Sequence, residues 1–246
     1  MRNEDLDPQR SKPEFAQAML EDLHWLGLEW QEGPDVGGPY APYMQSQRRD
    51  HYLRAWRRLL EGGFIYPCTC SRKDLASAAQ APHDLDDEPI YPRTCRGKTS
   101  TATDPAGLNW RFLVPDGTSI EFEDLRLGKR SYVASRDFGD FVVWRRDDIP
   151  AYQLAVVVDD AEMEITEVVR GEDLLRSTAR QILLQRALGL PTPAYYHCEL
   201  VTDAQGQRLA KRHDALSLRS LREQGIAPQE IVREWAEGVS EAHHSR

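Results

Sequence analysis

No apolar run in the 246-residue chain approaches the roughly 20 residues that a helix needs to cross a bilayer. A helical membrane protein is therefore set aside. Positive charge is not in excess either, since the net charge is −9. A protein that holds nucleic acid by its overall charge is basic, so any RNA contact here must rest on a local patch. The N-terminus, Met1-Arg-Asn-Glu-Asp-Leu-Asp7, is acidic and lacks the apolar core of a secretory signal, and a cytoplasmic protein is expected. Cysteine is scarce: Cys68, Cys70, Cys95 and Cys198 are the only four. Without a signal peptide they do not read as a disulfide framework. Internal repeats and low-complexity tracts are absent as well.

What is present is a pattern of alternating helices and strands. Ser11-Lys-Pro-Glu14 has the form of a capping box, and Phe15, Ala18, Met19, Leu23 and Leu26 follow at helical spacing until Gly27. Ser46 opens a second helix with Tyr52, Leu53, Trp56, Leu59 and Leu60 on its apolar face, ended by Gly62 and Gly63. Residues 64–66 form a short apolar strand, and the proline-bearing stretch 67–100 is irregular. Residues 110–114 and 119–123 flank Pro115-Asp-Gly117, a hairpin signal. Strands are expected at 141–144, 165–169 and 195–201, a helix at 178–188, then a polar loop to His213 and two short helices. The fold class is α/β with an insertion near residues 67–135.

Three groups of residues could carry chemistry. Cys68-Thr-Cys70 with Cys95 offers three thiolates to a tetrahedral zinc ion, and Tyr91 and His83 are the candidates for a fourth ligand. Three free thiols are the plainer alternative, and Cys198, within a strand, reads as core. Glu4-Asp-Leu-Asp7 pairs carboxylates that could hold an ammonium group or a metal. By residue type alone it also describes a solvated acidic turn. Gly206-Gln-Arg208-Leu-Ala-Lys211-Arg212-His213 is a glycine-started basic loop of the kind that neutralises a polyphosphate, or simply a solvated one. Asp137-Phe-Gly139 and Gly97-Lys-Thr99 look like kinase and P-loop fragments but lack the companion motifs.

Taken in order, these residues resemble the glutamyl-tRNA synthetase family of class I synthetases. Glu4-Asp-Leu-Asp-Pro-Gln-Arg10 is similar to that family's Ile-Glu-Asp-Thr-Asp stretch. Asp22-Leu-His-Trp-Leu-Gly-Leu28 and Gly37-Gly-Pro-Tyr-Ala-Pro-Tyr-Met-Gln-Ser46 look like the segments that follow it. Tyr152-Gln-Leu-Ala-Val-Val-Val-Asp-Asp160 and Glu167-Val-Val-Arg-Gly-Glu-Asp173 resemble its amino-acid pocket. Arg208-Leu-Ala-Lys-Arg212 stands where the family carries a Lys-Met-Ser-Lys-Ser loop. The chain stops about 35 residues after that loop, with no anticodon-binding domain among its residues, which resembles the family's short branch, the glutamyl-queuosine tRNA(Asp) synthetases. The pattern Cys68, Cys70, Tyr91, Cys95 also matches that branch's zinc ligands.

The resemblance implies an enzyme that activates L-glutamate with ATP and Mg2+ and joins it to the queuosine base of tRNA(Asp). Glu4 would hold the glutamate ammonium, and Tyr152 and Arg170 would complete the pocket, with Arg170 on the side-chain carboxylate. Arg208, Leu209, Ala210, Lys211 and Arg212 would form the ATP loop, with Lys211 as its catalytic cation. Arg208 and Ala210 depart from the usual lysine and serine, which keeps the charge and removes a hydroxyl. The implied architecture is a Rossmann-like catalytic domain in two parts, 1–66 and 136–246, around an α+β, zinc-bearing acceptor-type subdomain at 67–135; the expected state is a monomer. The family's first strand and helix, with their His-x-Gly-His motif, have no counterpart in these residues, and adenylate formation without them is expected near background. Two other readings are carried: part of a standard glutamyl-tRNA synthetase charging tRNA(Glu), and an inactive zinc-binding remnant with Arg48, Arg49, Arg54, Arg57 and Arg58 as an RNA-facing patch.

Overall fold

The structure, a computed structural model, describes residues 1–9, 11–70, 90–200 and 217–233. It divides into two compact units, residues 1–44 with 201–246, and residues 45–200.

In the first unit, α1 (Pro13–Trp25) begins with proline at its first turn, where the missing N–H costs nothing. The expected Ser11 cap does not form. Lys12 takes the cap position in an extended conformation and no side chain caps the helix, because the helix starts at Pro13, one residue beyond the start that a Ser11 cap requires. A short helix, α5 (Leu218–Glu223), is capped by Ser217 and tied to α1 through Arg219, which reaches Asp22 at 3.1 Å and Glu21 at 3.0 Å. The N-terminal segment pairs with Met44 through Asn3, and the Tyr43 hydroxyl donates to Glu32 at 2.6 Å. Gly38 is required here: its φ is +143° and a Cβ would lie 2.3 Å from the Tyr43 hydroxyl.

The second unit holds two sheets. The first is antiparallel, in the order β1 (Ile65–Cys68), β2 (Asn109–Phe112), β5 (Val142–Trp144). The second is mixed. It runs β4 (Gly128–Val133), β3 (Ser119–Asp124), β7 (Ala194–Cys198), β6 (Glu167–Gly171), with the last two pairings parallel. Pro115-Asp-Gly117 therefore does not make the expected hairpin. It carries the chain from one sheet to the other, and the hairpin is β3–β4 instead. The sequence hid β4 because Gly128-Lys-Arg-Ser-Tyr-Val133 is half-exposed and mostly polar. The strands of 67–135 pair outward, β2 with β5 and β3 with β7.

Among the described residues of this unit three helices pack: α2 (Arg49–Glu61), α3 (Tyr152–Glu162) and α4 (Leu175–Leu188), the last ended by Gly189 in the left-handed conformation. Trp56, Trp110 and Trp144 are fully buried, the first two edge to face with centroids 4.9 Å apart. Between α2 and α3 lies a buried carboxylate. Asp159 accepts from Arg48 Nε at 2.7 Å, Gln45 Nε2 at 2.8 Å and the Tyr52 hydroxyl at 2.9 Å. Of the five arginines weighed as a basic patch, Arg54 and Arg57 stay exposed and the other three find partners within the unit. Arg48 turns inward, Arg49 pairs with Asp148 at 2.7 Å, and Arg58 donates to the Leu188 carbonyl. Among the described residues no helix is long and apolar enough to cross a membrane.

Removing one partner of a buried ion pair strands the other charge, at a cost of about 3–5 kcal/mol. Asp159→Ala is expected to lose that much in urea unfolding, and Arg48→Met with Asp159→Leu to recover a large part of it. An unchanged midpoint in the single variant would contradict this account of the α2–α3 junction.

Candidate functional site

Two polar clusters in the second unit bring together residues singled out from the sequence. The first lies at the end of β1. Cys68 closes the strand and Cys70 follows it, while a turn with Arg93 at positive φ returns Cys95 to the same place. The three sulfurs lie within 4.8 Å of one another. The Tyr91 hydroxyl stands 3.4 Å from Cys68 Sγ and 3.3 Å from Cys70 Sγ, and Cys70 and Cys95 are 3.6 Å apart. A tetrahedral ion about 2.3 Å from each sulfur separates sulfurs by roughly 3.8 Å, so Cys68, Cys70 and Cys95 are spaced to hold a metal ion. His83, the other candidate ligand, lies outside the described residues.

The surroundings favour negative charge on Cys95 and disfavour it on Cys70 and Tyr91. Arg111 is buried, stacks its guanidinium 3.9 Å from the Tyr91 ring centre, and donates Nε to Cys68 Sγ at 3.4 Å. Its Nη1 is anchored on the Asp140 carbonyl at 2.9 Å. Burial acts to raise the Cys95 thiol, but hydrogen bonds from Tyr91, Thr69 and Cys70 outweigh it and hold Cys95 at about 6. Burial pushes the Cys70 thiol up, and burial with the neighbouring sulfurs pushes the Tyr91 phenol well up. Asp140, also buried, accepts from the Tyr66 hydroxyl at 2.6 Å and from the Val114 amide at 2.9 Å, which ties the segments around the cysteines together.

The second cluster lies where β6, β7, β3 and α4 meet. Arg170 on β6 is opposite His197 on β7 in the parallel register. His197 is fully buried, with Nδ1 2.5 Å from the Asp124 carboxylate at the end of β3. Arg170 donates Nε to His197 Nε2 at 3.2 Å and Nη2 to the Thr178 hydroxyl of α4 at 2.7 Å. Thr178 Oγ1 also lies 3.0 Å from His197 Nε2. Tyr195 stacks beside this group, its ring centre 5.3 Å from the Arg170 guanidinium. Burial raises the Tyr195 phenol, while Gln185 and Arg170 oppose that rise and Asp160 and Tyr152 add to it.

Burial lowers His197 against the opposing pull of Asp124, and the Arg170 charge lowers it further. For Asp124, burial alone would raise the carboxyl; hydrogen bonds from His197, Leu127 and Arg126 outweigh it and lower it. Glu4 belongs to the other unit, half-exposed and bonded to Arg2 at 3.0 Å. Arg208, Leu209, Ala210, Lys211 and Arg212 lie outside the described residues. Sequence reasoning missed His197, Asp124, Thr178 and Arg111. The i, i+2 spacing of Tyr195 and His197 on a strand, which points both inward, was the available signal for one of them.

With this geometry in place the chain can be compared with known proteins. Residues 1–241 match the model for the catalytic domain of class I tRNA synthetases (E and Q). The chain belongs to the class I tRNA synthetases of the Glu and Gln type. Among its relatives, a glutamyl-Q tRNA(Asp) synthetase of Symbiobacterium thermophilum is 49% identical over 94% of this chain and 73% of its own length. A glutamate–tRNA ligase 2 of Nitrosococcus oceani is 44% identical over 94% of this chain, which spans 50% of that protein. A crystal structure of the glutamate–tRNA synthetase from Elizabethkingia anophelis superposes with a TM-score of 0.73 at 31% identity, covering 86% of this chain and 45% of that one. These relatives carry the names of ligases. The helices and mixed sheets described above are those of the synthetase catalytic domain.

Metal analysis of the purified chain is expected to give about one equivalent of a thiol-preferring divalent ion. Cys70→Ser should lose most of it and Cys198→Ser none; retention in the first variant would separate the cysteine cluster from the metal. His197 supplies a second prediction. A histidine lowered from 6.5 in the folded state favours folding fully above that pH, and its contribution is lost as pH falls through the lower folded value. The melting temperature of the unaltered chain should therefore fall relative to that of His197→Gln as pH drops below 6.5. Parallel curves would place the charge change elsewhere.

Proposed function

We propose that the chain activates L-glutamate with ATP and transfers it to the queuosine base of tRNA(Asp). The observation that carries this reading is Arg170: a guanidinium that makes no ion pair among the described residues, beside Tyr195, in a chain 49% identical to a glutamyl-Q tRNA(Asp) synthetase. A guanidinium receives a carboxylate through two parallel hydrogen bonds, which suits the side chain of glutamate. In this reading Tyr152 lines the pocket and Glu4 takes the ammonium group. Lys211, with Arg208, Leu209, Ala210 and Arg212, neutralises the phosphates of ATP, which arrives with Mg2+.

The glutamate α-carboxylate then attacks the α-phosphate of ATP and pyrophosphate departs. A hydroxyl of the modified base captures the acyl group and AMP is released. No side chain need act as a nucleophile; alignment of the reactants and neutralisation of phosphate charge lower the barrier. Cys68, Cys70, Tyr91 and Cys95 would hold a zinc ion, which would tie together the segments that carry them. Tyr91 fits as the fourth ligand because its hydroxyl already faces two of the sulfurs. The chain works as a monomer in the cytoplasm.

A second reading, transfer to the 3′ end of tRNA(Glu), draws on the 44% identity to the glutamate–tRNA ligase of Nitrosococcus oceani. Acceptor choice separates the two: glutamate should enter tRNA(Asp) that carries queuosine, and not the same tRNA without it or tRNA(Glu). In glutamate-dependent ATP–pyrophosphate exchange by the chain joined to the family's first strand and helix, Arg170→Ala should raise the KM for glutamate about 100-fold, the size of a lost paired contact to a charged group, with the KM for ATP little changed. Normal exchange in that variant would count against the pocket.

A further inference from the structure

We infer that His197, backed by Asp124, is a positioning residue: it holds the Arg170 guanidinium in one orientation and leaves its charge for an anionic ligand. The inference deepens the reading of Arg170 as the receiver of the glutamate side-chain carboxylate and rests on it.

The donors and acceptors allow only one arrangement. Asp124 is ionised and accepts from the Arg126 and Leu127 amides at 3.1 and 2.9 Å, so the bond of 2.5 Å to His197 Nδ1 must carry the imidazole proton. Arg170 Nε–H can only donate, so His197 Nε2, 3.2 Å away, must present its lone pair. The imidazole is therefore neutral and in a single tautomer, set by the carboxylate behind it.

The consequence falls on Arg170. Its Nε and Nη2 are held along one edge by His197 and by the Thr178 hydroxyl, and both acceptors are uncharged. The negative charge that balances the cluster sits one imidazole further away, on Asp124. A carboxylate in the place of His197 would hold the guanidinium as firmly and would also neutralise it. With histidine there, the orientation is fixed and the attraction for an incoming carboxylate is kept. The guanidinium end that carries Nη1 has no acceptor among the described residues. The groups that face His197 are Asp124 from β3, Arg126 from the turn after it, Arg170 from β6, Thr178 from α4 and Tyr195 on its own strand. Two of these are cations. A protonated His197 would lose its acceptor and repel both, so the arrangement fails in acid.

The test has a spectroscopic arm and a binding arm. In nitrogen-15 spectra of the unaltered chain at neutral pH, His197 should show the neutral form protonated at Nδ1. The Arg170 Nε–H signal should be protected from exchange and lose that protection in His197→Asn. A His197 that is charged at neutral pH, or an Arg170 Nε–H indifferent to the substitution, overturns the inference. By calorimetry, His197→Asn, which keeps a donor toward Asp124 and removes the acceptor, should weaken L-glutamate binding at least tenfold, as expected for one hydrogen bond to a charged group. His197→Gln, whose amide oxygen can reach the Nε2 position, should restore part of that loss. The affinity of the unaltered chain should fall as His197 protonates, and that of His197→Gln should not. Weak binding in Arg170→Ala with unchanged binding in His197→Asn overturns the inference and leaves the glutamate reading intact. Unchanged binding in Arg170→Ala sinks that reading, and the purpose given to His197 with it.

Discussion

The parallel register between β6 and β7 is the constraint on which the Arg170 cluster depends. It sets Arg170 opposite His197, and the pairing of β3 with β7 at Asp124 and Tyr195 brings the carboxylate within two residues of the same histidine, on the same face of the strand. Side chains alternate along a strand, so a slip of one residue would turn His197 away from both partners. Parallel neighbours need a crossover, and the crossover here is α4, which supplies Thr178. One strand–helix–strand unit thus contributes the arginine, the hydroxyl and the imidazole together. The same pairing keeps the site rigid, since moving Arg170 would require breaking the sheet.

Buried carboxylates mark three junctions of the second unit, and each is satisfied in a different way. Asp159 joins α2 to α3 through a guanidinium, an amide and a phenol. Asp140 joins β5 to the chain around the cysteines through a phenol and a backbone amide, with Arg96 at 3.2 Å. Asp124 joins β3 to β7 through an imidazole and two backbone amides. A buried charge without such partners costs several kcal/mol, so the partners are as necessary as the charges. The cysteine cluster depends on the second junction, because Arg111 reaches Cys68 only while the Asp140 carbonyl anchors it.

Much of this was legible in the sequence, and the reasons for the rest are physical. The spacing of Tyr52, Leu53, Trp56 and Leu59 gave the inner face of α2, since a helix repeats every 3.6 residues. Cys68, Cys70, Tyr91 and Cys95 stood out because few residue types bind metal and these recur close together. Pro115-Asp-Gly117 misled because a turn dictates that the chain changes direction but not which strands then pair; non-local pairing chose β4 and β7 for β3. Arg48, just before α2, misled because a run of charge does not reveal a carboxylate 111 positions away that draws it inward. His197 and Asp124 escaped notice for the same reason. Each is an ordinary residue until the sheet brings them together.

Arg48 and Arg170 differ in how closely each is neutralised. Both donate Nε to a buried neighbour and both are held by a hydroxyl or carboxylate chain that runs into the core. Arg48 meets Asp159 directly at 2.7 Å, with 2% of its surface exposed. Coulombic attraction at that distance in a poorly polarisable interior is strong, and a second anion would find the cation already neutralised. Arg170 meets only neutral acceptors, and the balancing carboxylate stands beyond an imidazole ring. Attraction falls with distance, so part of the field of Arg170 remains directed at whatever anion comes next. The unit as a whole stays close to neutral, which lets the sheet form without a ligand. The charge of Arg170 is balanced only at a distance, which is what an anion at that place would meet.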